Sequence, residues 1–171
     1  AGLVDQLLAF ARQQPLQTTV CDLNSVIEAM RDLIPGSMSG TIDTRFALSP
    51  DPLPAQIDRG LLESAIINLA INARDAMEQG GQLTVATRRR EDGSAEIAIS
   101  DTGYGMSPET IERAIEPFFT TKPLGKGSGL GLSQVVGSVE QMGGRVEIDS
   151  EEGVGTTVRL LFPPNGDDAA C

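Results

Sequence analysis

The sequence predicts an α/β fold, a two-layer α/β sandwich with helices on one face of a mixed, mostly antiparallel sheet. Three observations lead there. Segments with two-residue alternation cluster in neighbouring pairs, Leu83 to Thr87 with Ala95 to Ser100 and Arg145 to Ser150 with Thr156 to Phe162, which disfavours a doubly wound sheet. A segment from about Ala55 or Gln56 to Glu78 carries Leu61, Leu62, Ala65, Ile66, Leu69, Ala73, Ala76 and Met77 at helical spacing, a broad apolar face. A second apolar segment, Leu130 to Met142, reads as a helix that opens directly behind glycines.

Taken in order, Leu3, Leu7, Leu8 and Phe10 give residues 2–13 an amphipathic helical pattern without a convincing cap. Gln17 to Val20 shifts to a short extended period. Asp22 then caps a predicted helix running to about Ile34, which Pro35-Gly36 stops. Thr41 to Leu48 alternates as a strand, and the proline-rich Ser49 to Pro54 reads as a surface connection. Gly80-Gly81 ends the long helix. Asp92-Gly93 lies in the polar connection between the first strand pair, and Ser107-Pro108 starts a short helix. Glu116 to Lys126 has no stable period and reads as a mobile loop. Gly143-Gly144 separates the last helix from its strand, Gly153 and Gly155 punctuate the final hairpin, and Pro163-Pro164 closes the domain before a polar tail.

A composition of 40% hydrophobic and 22% charged residues is that of an ordinary soluble globular chain. The formal net charge of -11 argues against non-specific nucleic-acid binding, which needs concentrated Lys and Arg. Histidine is absent, which excludes an internal Ser-His-Asp or Cys-His arrangement, a histidine-based zinc site and a phosphoacceptor histidine within these residues. The two cysteines, Cys21 and Cys171, have no partner pattern and are expected to be a free buried thiol and an exposed terminal one. No apolar run is long enough to span a membrane, so direct membrane insertion is not expected and a cytoplasmic location is the default.

The chemistry gathers in three places. Asp101-Thr102-Gly103-Tyr104-Gly105-Met106 follows a strand, where Asp101 can accept hydrogen bonds and Gly103 and Gly105 allow backbone geometry or close approach that a β-carbon forbids. Gly127-Ser128-Gly129-Leu130-Gly131-Leu132 opens a helix whose free N–H groups form an anion site. Asn68 and Asn72 stand one helical turn apart, and their amides can ligate magnesium or donate to phosphate. Together these suggest a nucleotide. Each residue also has a bland role: the asparagines as caps or bridges, Asp101 as an Asx turn, Met106 as core and Lys122 as a solvated loop cation. Asp75 continues the polar edge of the long helix.

In this order the segments resemble the ATP-binding catalytic domain of sensor histidine kinases, within the gyrase, heat-shock chaperone, histidine kinase and mismatch-repair ATP-fold superfamily. Asn68 to Ala76 matches the N box, Asp101 to Met106 the first glycine box, Glu116 to Lys122 the phenylalanine box, Gly127 to Leu132 the second glycine box, and Gly153-Val154-Gly155-Thr156 a further glycine-threonine feature. The resemblance covers about Ala55 to Phe162 and implies a Bergerat ATP-binding fold. It implies ATP and Mg2+ as ligands and ADP as product, with adenine anchored by Asp101 and assisted by Thr156, near Gly103, Gly105 and Met106. It further implies metal held through Asn72, phosphates positioned by Asn68 and Lys122, and an amide cradle from Gly127, Gly129, Leu130, Gly131 and Leu132. Asp75 joins the same cofactor-binding edge, while Phe118 and Phe119 are packing or docking residues.

Related ATPases carry a glutamate at the position matched by Asn68. An amide cannot act as general base, which favours phosphotransfer over hydrolysis. The resemblance therefore implies presentation of the terminal phosphate to a histidine on a separate phosphotransfer and dimerisation domain, with a response regulator or receiver domain downstream. A non-catalytic nucleotide-responsive module and a standalone ATPase are the alternatives. The expected organisation is the end of a phosphotransfer helix over 1–15, the catalytic domain over 16–164 and a linker or tail over 165–171, with the isolated chain monomeric.

Overall fold

A computed structural model of the chain describes residues 15–114 and 131–165. The predicted N-terminal helix, the loop over 116–126 and most of the tail lie outside the described residues. Among the described residues seven strands and five helices follow one another: β1 (Thr19–Asp22), α1 (Leu23–Ala29), α2 (Leu33–Gly36), β2 (Ile42–Ala47), β3 (Pro54–Ile57), α3 (Arg59–Ala76), β4 (Gly81–Arg89), β5 (Ala95–Asp101), α4 (Pro108–Arg113), α5 (Gly131–Gln141), β6 (Arg145–Glu151) and β7 (Gly155–Phe162). The main sheet has the order β2-β4-β5-β7-β6; β2 runs parallel to β4, and every other pair is antiparallel. This is the mixed, mostly antiparallel sheet that the paired alternation predicts.

Strand alternation sorts the side chains. Leu83, Val85, Ile97, Ile99, Val158 and Leu160 are buried on one face, where Leu62, Ala65, Ile66, Leu69 and Ala73 of α3 and Val135 and Val139 of α5 meet them. Each large apolar side chain buried this way stabilises by about 1.5–3 kcal/mol relative to exposure, enough to fix which face each helix covers. The opposite face carries charge. There the buried Glu96 carboxylate receives Arg88 Nε at 2.6 Å and Arg90 Nε at 3.0 Å, and Arg90 also forks onto Glu147.

The structure corrects four expectations. Residues 54–57 form β3 instead of opening the long helix: β3 pairs antiparallel with β1, Cys21 opposite Ala55, and Pro54 is tolerated as the first residue of a strand with one partner. The helix therefore starts at Arg59, capped by Asp58 Oδ1 accepting from Leu61 N at 3.1 Å. The Asp22-capped helix ends at Ala29, where Met30 N and Arg31 N turn to the i−3 carbonyls of Ile27 and Glu28, and Pro35-Gly36 sits inside a separate single turn; Met30 and Ile34 are both buried. Cys21 is buried but held in a disulfide, not free, and is the only cysteine among the described residues.

A polar knot joins the small sheet to the large one. Asp22 Oδ1 accepts from Asn24 N and Leu53 N, while Asn24 Nδ2 donates to the carbonyls of Ser49 and Asp51, both at 3.0 Å. Thr87, 5% exposed, donates to Asn24 Oδ1 and accepts from Ser49 N. Removing Asn24 leaves the Thr87 hydroxyl proton without its acceptor and takes the amide donor from two loop carbonyls. Asn24→Ala is expected to lower stability by about 2–3 kcal/mol in denaturant unfolding, well above the effect of an ordinary surface substitution.

Candidate functional site

Asp101 ends β5, directly opposite Thr156 of β7, and Thr156 is in turn opposite Ser150 of β6. Residues directly opposite in antiparallel strands share a face, so Asp101, Thr156 and Ser150 form a row on the helix-covered side of the sheet. The Asp101 carboxylate is spent unevenly. Its Oδ1 accepts from Gly103 N at 2.9 Å and Thr156 N at 3.3 Å, whereas Oδ2 takes no protein donor among the described residues. The Asx turn and an open acceptor therefore coexist in one side chain.

The glycines of the loop after β5 are fixed by close approach. Tyr104 N donates to the carbonyl of Ala76, the last residue of α3, at 3.1 Å. At Gly103 a β-carbon would collide with that carbonyl and with the Ala76 side chain. Gly105 has φ +70°, and its missing side chain leaves room for the Glu151 backbone. Beside them Thr102 Oγ1 accepts from Gln82 N at 3.0 Å and faces Met77 Sδ. The loop is thus clamped between the C-terminus of α3 and the β6–β7 hairpin.

The other side of the site is the packing of α3 on α5. Asn68 and Asn72 are half-buried on α3. A β-carbon on Gly131 would stand 3.4 Å from both Nδ2 and Oδ1 of Asn72, so the N-terminal turn of α5 lies against that amide. That turn is the first described one of an eleven-residue helix, and the positive end of the helix dipole lies on this side. Leu132 is half-buried and packs on the core, and the Asp75 carboxylate stands 3.5 Å from the Arg74 guanidinium. Met106 is half-buried with its N–H on Ser150 Oγ at 2.8 Å.

The structure therefore brings Asn72, Asp101, Gly103, Gly105, Met106, Gly131 and Thr156 around one region bounded by α3, α5 and the ends of β5, β6 and β7. Asn68 lies one turn back along α3. Lys122, Gly127, Gly129, Leu130, Phe118 and Phe119 lie outside the described residues. Sequence reading missed Ser150, whose hydroxyl joins Met106 N, Gly155 O at 3.0 Å and Thr156 Oγ1 at 2.7 Å, and it missed the Thr102 tie. The signal for Ser150 was its place at the end of an alternating strand, in register with Thr156.

Burial raises the Asp101 pKa above the ordinary carboxyl value, and the Gly103 and Thr156 N–H bonds oppose that rise only in part. The sign follows: a raised folded-state pKa contributes stability below the unfolded pKa that is lost as pH climbs through the folded one. Asp101→Asn keeps an Oδ1 acceptor and removes the titration. Urea unfolding at about pH 4 and about pH 7 is expected to show the mutant gaining stability relative to wild type as pH rises; a gain in the opposite direction would contradict the burial of the charge.

A family model described as histidine kinase-, DNA gyrase B- and HSP90-like ATPase matches residues 57–166. The chain is 41% identical to the sensor kinase CckA of Brucella abortus over 95% of its own length and 19% of that protein's. It is 34% identical to the sensor histidine kinase ZraS of Klebsiella oxytoca over 96% of its length and 35% of that protein's. The chain thus spans about a fifth to a third of these relatives. Among solved structures it is similar to the mycobacterial sensor histidine kinase MprB, with TM-score 0.74 and 26% identity over 86% of this chain and 97% of that one. It is also similar to full-length ShkA, solved in complex with AMPPNP, with TM-score 0.80 and 28% identity over 94% of this chain and 35% of that one. With the N-box helix, the first glycine loop and the α5 N-terminus converging as described, this chain belongs to the histidine kinase-, DNA gyrase B- and HSP90-like ATPase family.

Proposed function

We propose that this chain is the ATP-binding catalytic domain of a sensor histidine kinase in a two-component system, which presents the terminal phosphate of ATP to a histidine on a separate phosphotransfer and dimerisation domain. The observation that carries the reading is the split role of Asp101, one oxygen held by Gly103 and Thr156 N–H groups and the other open for an exocyclic amine. The opposite end of the site suits an anion. The N-terminal turn of α5 supplies backbone donors, and the Asn72 amide beside Gly131 is a neutral oxygen ligand for a cation.

These residues fit ATP with Mg2+. Asn72 would hold the metal, which when bound neutralises phosphate charge; Asn68 and Lys122 would position the phosphates, with the second glycine box around them. Asp75, paired with Arg74, would support the polar edge of α3. An acceptor histidine nitrogen forms a bond to the terminal phosphorus as the bond to the ADP oxygen breaks. The chain supplies position and charge stabilisation, and the nucleophile comes from outside it because the sequence has no histidine. A response regulator or receiver domain then takes the phosphate. Among the described residues no helix is long and apolar enough to cross a membrane, and a cytoplasmic setting accords with ATP as substrate.

Two measurements test this. Calorimetric titration with ATP in magnesium is expected to show binding that Asp101→Ala weakens by about 10–100-fold, the scale of a lost hydrogen bond to a charged group. Equal binding by a folded mutant would move the base elsewhere. Labelled ATP with a compatible histidine-bearing helical domain is expected to label that domain. Binding without transfer to any compatible acceptor would leave a nucleotide-responsive interaction module, and rapid phosphate release without an acceptor would identify an ATPase.

A further inference from the structure

We propose that Ser150 is a positioning residue for base selectivity, holding the Thr156 hydroxyl as a hydrogen-bond acceptor beside the Asp101 carboxylate so that the site favours a 6-amino over a 6-oxo purine. The inference rests on the nucleotide reading above and extends it to a residue that touches no ligand in that scheme. Ser150 Oγ has three partners: it accepts from Met106 N at 2.8 Å, lies 3.0 Å from the Gly155 carbonyl and stands 2.7 Å from Thr156 Oγ1. A carbonyl only accepts, so the single Ser150 proton goes to Gly155 O. The proton between the two hydroxyls must then come from Thr156.

The Thr156 oxygen is left with lone pairs alone for any further partner. Asp101 and Thr156 are directly opposite on β5 and β7, and Ser150 is the next residue across, on β6. The open Asp101 Oδ2 and the Thr156 Oγ1 are therefore two acceptors on one sheet face. An exocyclic amine brings protons to such a pair, whereas a 6-oxo group brings lone pairs and is rejected. Ser150 also receives the Met106 N–H, so the same hydroxyl pins the glycine loop at its far end.

The test compares ATP with inosine triphosphate, which exchanges the 6-amino group for oxygen, carries a proton on N1 and leaves the sugar and phosphates unchanged. Dissociation constants are measured in magnesium for wild type, Ser150→Ala, Ser150→Thr, Thr156→Val and the Ser150→Ala/Thr156→Val double variant, each checked by thermal melting. Once Ser150 is removed the Thr156 proton can turn to a 6-oxo group, so Ser150→Ala is expected to lower the ATP preference by about fivefold, the scale of one net hydrogen bond. Ser150→Thr keeps the hydroxyl and should hold the wild-type preference. The double variant should match Thr156→Val, because Ser150 acts through that hydroxyl.

A merely structural role would weaken both nucleotides equally, and an unchanged preference in Ser150→Ala overturns the inference. Should Ser150→Ala fail to fold, a preference in Thr156→Val equal to wild type overturns it as well. The wild-type ATP titration separates the two conclusions: no binding there removes the nucleotide reading and this inference together, whereas wild-type binding with unchanged preferences removes the Ser150 role alone.

Discussion

One carboxylate oxygen, Asp101 Oδ1, joins segments 55 residues apart by accepting from both Gly103 N and Thr156 N. Without that oxygen the loop after β5 and the start of β7 would each present an unpaired N–H at a partly buried strand end, and each orphan costs about 1–3 kcal/mol. The price of this anchor is the desolvation that raises the Asp101 pKa. A carboxylate suits the place better than a neutral amide because one of its oxygens can serve the fold while the other stays an acceptor for a ligand. Structural and binding roles are divided between two atoms of one group.

That division works only because the backbone closes around it. The Ala76 carbonyl would be an unsatisfied acceptor at the end of α3; Tyr104 N occupies it, and the contact fits only with glycine at 103. The apolar face that seats α3 on the sheet therefore also sets the height of the glycine loop. Packing of α5 on α3 does the equivalent at the other end, laying Gly131 against the Asn72 amide. The distance between the two ends of the site is thus fixed by helix packing, which resists deformation because the interior is close-packed.

Most of this was legible because periodicity and local chemistry agreed. The two-residue alternation of β4 to β7, the apolar face of α3 and the Ser107 and Asp22 caps all reappear in the structure. β3 was not legible. Its prolines carry a turn signal, and it exists because β1, distant in sequence, offers a partner edge. The long helix predicted after Asp22 was interrupted although its apolar spacing continues to Ile34, because the bonding tightens to i−3 at Met30 and Arg31, which spacing does not report. At the site, Asp101, Gly103 and Gly105 announced themselves by residue type. Ser150 did not, because a serine at a strand end is ordinary until the register sets it beside Thr156. The bonded state of Cys21 was equally hidden, as no cysteine near it in the sequence gives a spacing signal.

The charge balance of the chain bears on the choice of asparagine for the polar edge of α3. A chain of net charge -11 that takes a polyphosphate works against like-charge repulsion, and a pair of like charges about 4 Å apart costs about 4 kcal/mol at the effective dielectric of a protein surface. In the proposed site a carboxylate at position 72 would add that repulsion beside the phosphates; an amide ligates metal or donates to oxygen without it. Asp75 remains on that edge beside Arg74, while other acidic groups stand elsewhere. Glu96 and Glu147 are held by Arg88 and Arg90 on the opposite face of the sheet, and Asp101 stands at the base end of the proposed site. An amide at position 68 also leaves bound water without a carboxylate to take its proton. In the proposed scheme that amide would disfavour hydrolysis and leave the terminal phosphate for an incoming histidine.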